Sequence, residues 1–404
     1  MEACDKPHYE NVPFEVPSSW VWCKLHNIIQ ITNGRSQKYV ENVNGKYPIY
    51  GSGGVIGKAV DYLCEAGSTI IGRKGTINNP LFVEERFWNI DTAFGMKPMY
   101  AISDLYFFYF CQYFDFSKLD KSTAVPSLTQ SAIGEVFIPI PPINEQKRIT
   151  DGISYWLGFI DTLESNLINL QLAIKQTKSK ILNLAIHGKL VPQDPTDEPA
   201  SELLKRINPK AEIACDNGHY QKNKQFEIPS TWVLCKLGAV NEIARGGSPR
   251  PIKDYLTNDA NGINWIKIGD TTKDGKYINS VKEKIRPEGV KKSRLVHKGD
   301  FLLTNSMSYG RPYILNVDGC IHDGWLVISP IGKAYTSNFL YYLLSSSFAY
   351  EQFTNVASGG VVTNLNSDKV ADTIFPLPPY TEQHRIVAKI EEIFAELDAI
   401  EASL

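Results

Sequence analysis

From Glu145 to His187 the apolar positions keep one period without a slip. Ile149, Ile153, Trp156, Ile160, Leu163, Leu167, Leu170, Ile174, Ile181 and Leu184 follow steps of four and three, with Thr177 as the single polar step. A period of 3.5 sustained this long predicts a coiled-coil helix rather than an ordinary core helix. No proline interrupts it, and Gly152 and Gly158 are its only weak helix formers. At 1.5 Å per residue it makes a rod of roughly 65 Å. The pattern returns at the end of the sequence, where Ile386, Ile390, Ile393, Leu397, Ile400 and Leu404 repeat the same steps. Glu145-Gln146-x-Arg148-Ile149 matches Glu382-Gln383-x-Arg385-Ile386, and each follows a proline-rich entry, residues 138–144 and 375–381. Proline disfavours helix before it, so each entry marks where a globular unit ends and a rod begins.

Outside the rods the pattern shortens. Runs such as 68–74, 301–306 and 325–330 are β-branched and aromatic and alternate with glycine turns, which predicts short strands. Ser103 reads as the N-cap of a short aromatic helix. These segments repeat as well. Residues 14–25 return as 226–237 at an offset of 212, 31–36 align with 243–248, Ile90-Asp91 faces Ile321-His322-Asp323, and 103–109 faces 337–343. The chain is therefore read as two related α+β units, with about 25 extra residues in the second. The domain plan is 1–144, a spacer helix 145–187, a linker 188–225, a second unit 226–381 and a second spacer helix 382–404. Between the shared anchors the two units diverge, as expected if one frame carries two different surfaces.

Composition adds mainly exclusions. The net charge of −2 is near neutral, so any nucleic-acid affinity must come from clustered basic groups. The most apolar run, 105–114, is too short to span a bilayer, and residues 1–14 lack a signal pattern. Seven scattered cysteines form no C-x-x-C pair, which points to a reducing, cytoplasmic setting without a zinc site or disulfide framework. Residues 51–59 imitate a phosphate loop, but Ser52 replaces a required glycine and Ala59 the metal-binding hydroxyl. Leu377-Pro378-Pro379-Tyr380 imitates an adenine-methylase tetrapeptide, with leucine where a polar group must hold the base. His322-Asp323 by itself reads as a local turn hydrogen bond.

Basic groups do cluster. Residues 267–298 hold ten lysines and arginines against four acids, a strip that favours phosphates through counterion release. Glycine-rich loops beside arginine and small polar residues occur in both units. The candidates for DNA contact on them are Arg35, Ser36, Arg73, Lys74, Thr76, Ser248, Arg250, Asn305, Ser306, Tyr309 and Arg311, with Lys253 and Lys267 on the basic strip and its approach. Arginine can bond guanine bidentately, asparagine can bond adenine, and small neighbours let backbone approach phosphate.

With those residues in view, the chain resembles the specificity subunits of type I restriction-modification systems over essentially its whole length. The exit of the long helix, ILNLAIHGKLVPQDPTDEPASELLKRI (181–207), is the most specific piece. YPIYGSGGVIGKAVDYL, TIIGRKGTI and IDTAF mark a first target-recognition domain, and GDFLLTNSMSYGRPYI with GCIHDGWLVISP a second. The resemblance implies two recognition domains separated by long helices in an antiparallel coiled coil. Each domain contacts half of a split, asymmetric site in double-stranded DNA. The helices dock two methyltransferase subunits, and restriction subunits add translocation and cleavage. In that picture the chain is not catalytic, and S-adenosylmethionine, ATP and magnesium belong to its partners. A coiled-coil scaffold whose globular ends bind protein is the alternative; a self-sufficient methyltransferase lacks its cofactor fingerprint.

One expectation concerns the rods. Leu404 is equivalent to Leu167, and Met1 to about Glu212, so an antiparallel pairing leaves part of the first seam uncovered. Leu170, Ile174, Ile181 and Leu184 are expected to be exposed. With Leu167, Ile390 and Leu397 they form the expected subunit interface, covered by methyltransferase subunits or a second copy.

Overall fold

The computed structural model describes residues 12–99, 102–122, 124–214, 227–272, 275–305, 310–357 and 364–404. The chain divides into two compact units, Met1–Ser165 and Asn166–Leu404, with the division inside one long helix, Ile143–Ile186.

The first unit is built on a four-stranded antiparallel sheet in the order Ile29–Asn33, Ala93–Pro98, Ser68–Gly72, Leu81–Val83. Helix Asp104–Tyr113 packs on it, burying Tyr106 and Phe107 with Ile71, Phe94 and Met96. A smaller sheet joins Gly54–Ala59, Tyr47–Gly51 and Trp88–Asn89. Strand Val21–Lys24 pairs with Phe137–Ile140, so the start of the unit is tied to the strand that feeds the long helix.

The second unit repeats this frame. Val233–Lys236 pairs with Ile374–Leu377 just as Val21–Lys24 pairs with Phe137–Ile140, and Asn241–Arg245 pairs with Trp325–Pro330 as Ile29–Asn33 pairs with Ala93–Pro98. Its main sheet has five strands, in the order Asn241–Arg245, Trp325–Pro330, Phe301–Thr304, Pro312–Leu315, Tyr277–Ile278. The extra residues complete a second five-stranded sheet that includes Ile263–Ile266 and Gly319–Ile321.

The last helix, Tyr380–Ala402, runs antiparallel to the end of the long helix. Ile181, Ala185, Ile386 and Ile390 share one core, while further along Lys178 pairs with Asp398 and Glu401. This corrects the expectation for the seam. Ile174 and Ile181 are 4% and 7% exposed, and Ile390 is fully buried, so they close a seam within the chain rather than face a subunit. Leu170 and Leu184 do stand exposed, Leu167 is at the margin, and Leu397 packs partly against the core. The continuous bare stretch lies earlier on the long helix, where Tyr155, Trp156, Phe159, Ile160, Leu163, Ile168 and Leu172 are all exposed. The physical reason is register: the last helix covers the final turns of the long helix, and a seam spaced every 3.5 residues cannot state where its partner begins.

A buried glutamine fixes where each rod leaves its unit. Gln383 accepts from the Thr336 amide at 2.7 Å and donates to the carbonyls of Ala334 (2.9 Å) and Pro378 (3.2 Å). Gln146 repeats the arrangement, accepting from the Ser103 amide at 2.9 Å and donating to the Pro141 carbonyl at 2.9 Å. Both glutamines are fully buried. Each fills an orphan donor at the start of the aromatic helix and an orphan acceptor at the proline entry, groups those elements cannot pair themselves.

Candidate DNA interface

In each unit the loops singled out from the sequence converge at one end of the main sheet. The shared geometry begins with a glycine. A Cβ on Gly34 would lie 1.7 Å from the carbonyl oxygen of Ile90, and one on Gly246 would lie 2.2 Å from that of His322. Only glycine lets these loops cross so closely. The backbone bonds repeat too. Gly34 N–H donates to Ala93 as Gly246 N–H donates to Trp325, and Arg73 N–H donates to Thr92 as Asn305 N–H donates to Gly324. Strand register thus makes Asp91 the counterpart of Asp323, Arg73 of Asn305 and Ser36 of Ser248.

Asp323 organises the second cluster. Its carboxylate accepts from the Ser248 hydroxyl at 2.8 Å and lies 3.5 Å from the Arg250 guanidinium. Its backbone carbonyl accepts from Arg245 Nε at 3.1 Å and Asn305 Nδ2 at 2.8 Å. The Ser248 hydrogen bond, ahead of the nearby His322 and Arg250 charges, holds its carboxyl below the ordinary carboxylate range. Burial pushes His322 below its usual value, and its Nε2 accepts from the Ile268 amide at 3.2 Å. Arg250, beside Asp323, and Arg311 are both exposed on this cluster.

The first cluster shares the frame but presents different side chains. Arg35, Ser36, Lys74 and Thr76 are exposed on it, and Arg73 is half-buried with its guanidinium 6.0 Å from the Phe94 ring centre. The Arg73 carbonyl accepts from the Leu128 amide and the Pro126 carbonyl from Gly75, so residues 126–128 brace this loop.

Several sequence candidates have other employment. Asn305 is 1% exposed and serves as a strut to Asp323, which places its amide out of reach of a base. Lys267 pairs with Glu283. Part of the basic strip is similarly committed: Lys292 reaches the Tyr255 hydroxyl, Arg294 the Arg245 carbonyl and Lys284 the Ala260 carbonyl. Lys276 sits among Tyr277, Tyr341 and Tyr342 and 3.7 Å from Glu391, with its pKa lowered by burial. A run of lysines records charge, whereas contact with a carbonyl or ring depends on neighbours distant in sequence. Lys253 is exposed on the turn Ile252–Asp254, and Ser306 and Tyr309 lie outside the described residues.

The part the sequence reading passed over is Asp323. The local turn at His322-Asp323 is present, with the Gly324 amide donating to His322 Nδ1 at 2.8 Å, and Asp323 in addition ties together segments about 75 positions apart. Its repeat in both units, as Asp91 and Asp323, was the available signal.

Among the described residues no group of histidine, cysteine, aspartate or glutamate is arranged to hold a metal ion, and no helix is long and apolar enough to cross a membrane. The model of the type I restriction modification DNA specificity domain matches twice, at residues 17–172 and 229–404. The EcoDI specificity subunit of Escherichia coli is 22% identical over 96% of this chain and 84% of its own length. The EcoBI subunit of the same species is 24% identical over 96% and 81%. The EcoAI subunit is 26% identical over 69% of this chain, a match that spans 57% of that protein. Among solved structures, the HsdS subunit from Thermoanaerobacter tengcongensis superposes with a TM-score of 0.56 at 16% identity, covering 97% of this chain and 93% of that one. A subunit from a type I restriction-modification assembly gives 0.60 at 17% identity, covering 97% and 94%. With two matched copies of the domain on two structurally equivalent frames, the chain belongs to the type I restriction-modification DNA specificity family.

Proposed function

We propose that the chain is the DNA-reading, non-catalytic subunit of a type I restriction-modification complex, each unit reading one half of a bipartite, asymmetric DNA site. The observation that carries this reading is the loop cluster built twice on one frame. Glycine crossings, backbone bonds and one serine, Ser36 and Ser248, are kept, while the other side chains presented differ, Arg35, Arg73 and Lys74 in one unit and Arg250 and Arg311 in the other. Phosphate contacts position a protein on DNA, and arginine or serine at a base edge specifies sequence. The rod sets the spacing, with about one turn of duplex between half-sites. The bare stretch from Tyr155 to Leu172 is the docking surface for the methyltransferase subunits, which bring S-adenosylmethionine; restriction subunits bring ATP and magnesium.

The test is a domain exchange. Replacing residues 14–144 with the corresponding segment of a relative, then mapping methylated adenines with the full complex, should alter one half of the target and leave the other unchanged. A hybrid in which both halves change refutes separable readers. Binding that is insensitive to duplex sequence and to salt favours a protein scaffold instead.

A further inference from the structure

The fold itself accounts for most of the glycines in the two units. Glycine is needed where φ is positive, as at Gly54 and Gly75, or where a Cβ would strike backbone, as at Gly34 and Gly246. Four glycines among the described residues stand at the opposite extreme. Gly53, Gly152, Gly158 and Gly269 have no positive φ, and a Cβ on any of them would meet nothing within 4 Å. Gly152 and Gly158 lie on the long helix, whereas Gly53 and Gly269 lie in loops, one in each unit.

Strand register makes those two loop glycines one position. Strand Tyr47–Gly51 runs parallel to Trp88–Asn89 with Tyr50 opposite Asn89, and Ile263–Ile266 runs parallel to Gly319–Ile321 with Ile266 opposite Ile321. Ile90 N–H donates to the Tyr50 carbonyl at 2.9 Å, as His322 N–H donates to the Ile266 carbonyl at 3.5 Å. Ile90 and His322 are counterparts already, through the crossings at Gly34 and Gly246. Tyr50 therefore answers to Ile266, and Gly53 to Gly269, while the flanking residues change from Ser52 and Gly54 to Ile268 and Asp270. Both loops adjoin the candidate DNA clusters. A Cβ on Gly72 would lie 3.1 Å from that of Ser52, and Arg73 and Lys74 follow Gly72 directly. The Ile268 amide donates to His322 Nε2 at 3.2 Å, and the adjoining Asp323 faces Arg250.

A glycine that the fold does not require lowers stability, because it gives up more conformational freedom on folding than alanine does. Bare backbone serves where another molecule comes closer than a side chain permits. Gly53 and Gly269 are both exposed, and the cations beside them select phosphate as the group that approaches. We infer that Gly53 and Gly269 are matched contacts to the DNA backbone, each passing a phosphate at a distance that a side chain forbids. This inference rests on the proposed DNA reading and deepens it. The two loops seat each unit on the duplex in the same way, and the differing side chains around them read different bases.

The test uses the full chain in complex with its methyltransferase subunits, carrying Gly53→Ala, Gly53→Leu, Gly269→Ala or Gly269→Leu. Two fluorescent duplexes, one with the mapped target and one unrelated, are titrated over a range of salt, and thermal stability is measured alongside. The open space at both positions lets every variant fold, with the alanine variants at least as stable as the parent. Affinity for the target should nonetheless fall by about tenfold or more with leucine, and by less with alanine. The unrelated duplex should weaken in step, with a shallower salt slope, because a phosphate contact carries no sequence. Unchanged affinity in both leucine variants of a complex whose parent discriminates its target overturns the inference and leaves DNA reading standing. A loss that tracks falling stability in the alanine variants overturns it too, since the glycines are then structural, as does a loss confined to the target, which puts a base edge there. A parent complex indifferent to duplex sequence and to salt removes the DNA reading and this inference with it.

Discussion

Replacing Gln383 tests how the reading units hold their rods. Its amide bonds the Thr336 amide at 2.7 Å and the carbonyls of Ala334 and Pro378 at 2.9 and 3.2 Å, all in a fully buried site. Gln383→Ala leaves one buried donor and two acceptors short of a partner and opens a void. An abandoned buried group costs about 1–3 kcal/mol, and the carbonyls can recover part of this through local shifts, so the total is about 3–5 kcal/mol. Gln383→Met separates the two contributions, since it fills the space but supplies no donor or amide acceptor; it should still cost about 2–4 kcal/mol. Gln146→Ala and Gln146→Met should show the same order in the first unit, through Ser103 and Pro141. Hydrogen exchange is the assay, because unfolding of a two-unit chain need not be two-state. The amide of Thr336 should exchange at least about thirtyfold faster in Gln383→Met, whose cost is read as an opening free energy at about 1.4 kcal/mol per tenfold. Protection within about 0.5 kcal/mol of the parent in Gln383→Met would show that packing, not hydrogen bonding, anchors the rod, and would refute the reasoning.

Four further outcomes are expected. Asp323→Ala releases Ser248 and Arg250 while removing a negative charge from the DNA-facing cluster, so competition binding should show cognate affinity falling by about 1–2 kcal/mol with non-specific affinity unchanged or raised. Arg250→Ala and Arg311→Ala should each cost about 1–3 kcal/mol with relaxed specificity if a base is read, and a uniform loss across sequences with a shallower salt slope if phosphate is held; unchanged affinity for both removes them from the interface. Burial, partly offset by Trp232 and Gln193, raises the Glu382 pKa above its ordinary value, so its contribution is greatest below that value and is lost as pH rises through the folded one. Stability of Glu382→Gln relative to the parent should therefore increase from acid to neutral pH in denaturant titrations, and an unchanged difference refutes that sign. Leu163→Glu, at a position 52% exposed, should leave circular dichroism intact and abolish co-purification with the methyltransferase subunits; normal assembly would move the docking surface elsewhere.

Periodicity by itself determined the rods, because a heptad seam is a local property that any window of the sequence displays. The offset of 212 between 14–25 and 226–237 likewise gave two units on one frame, since strand ends and turn glycines such as Gly34 and Gly246 answer to backbone geometry. Which loops carry the candidate interface was legible for the same reason. What the tertiary structure alone decided was which side chains on those loops are free. Arg311 and Asn305 lie six positions apart, yet one is exposed and the other is a buried strut to Asp323. Lys267 and Lys276 belong to a basic run, but Glu283 and a ring of tyrosines have claimed them. The seam shows the same limit: its spacing marks Ile174 and Leu163 alike, and the antiparallel register of the last helix buries one and leaves the other bare. Local patterns fix the shape of each element, while burial and pairing depend on groups that only the folded chain brings together.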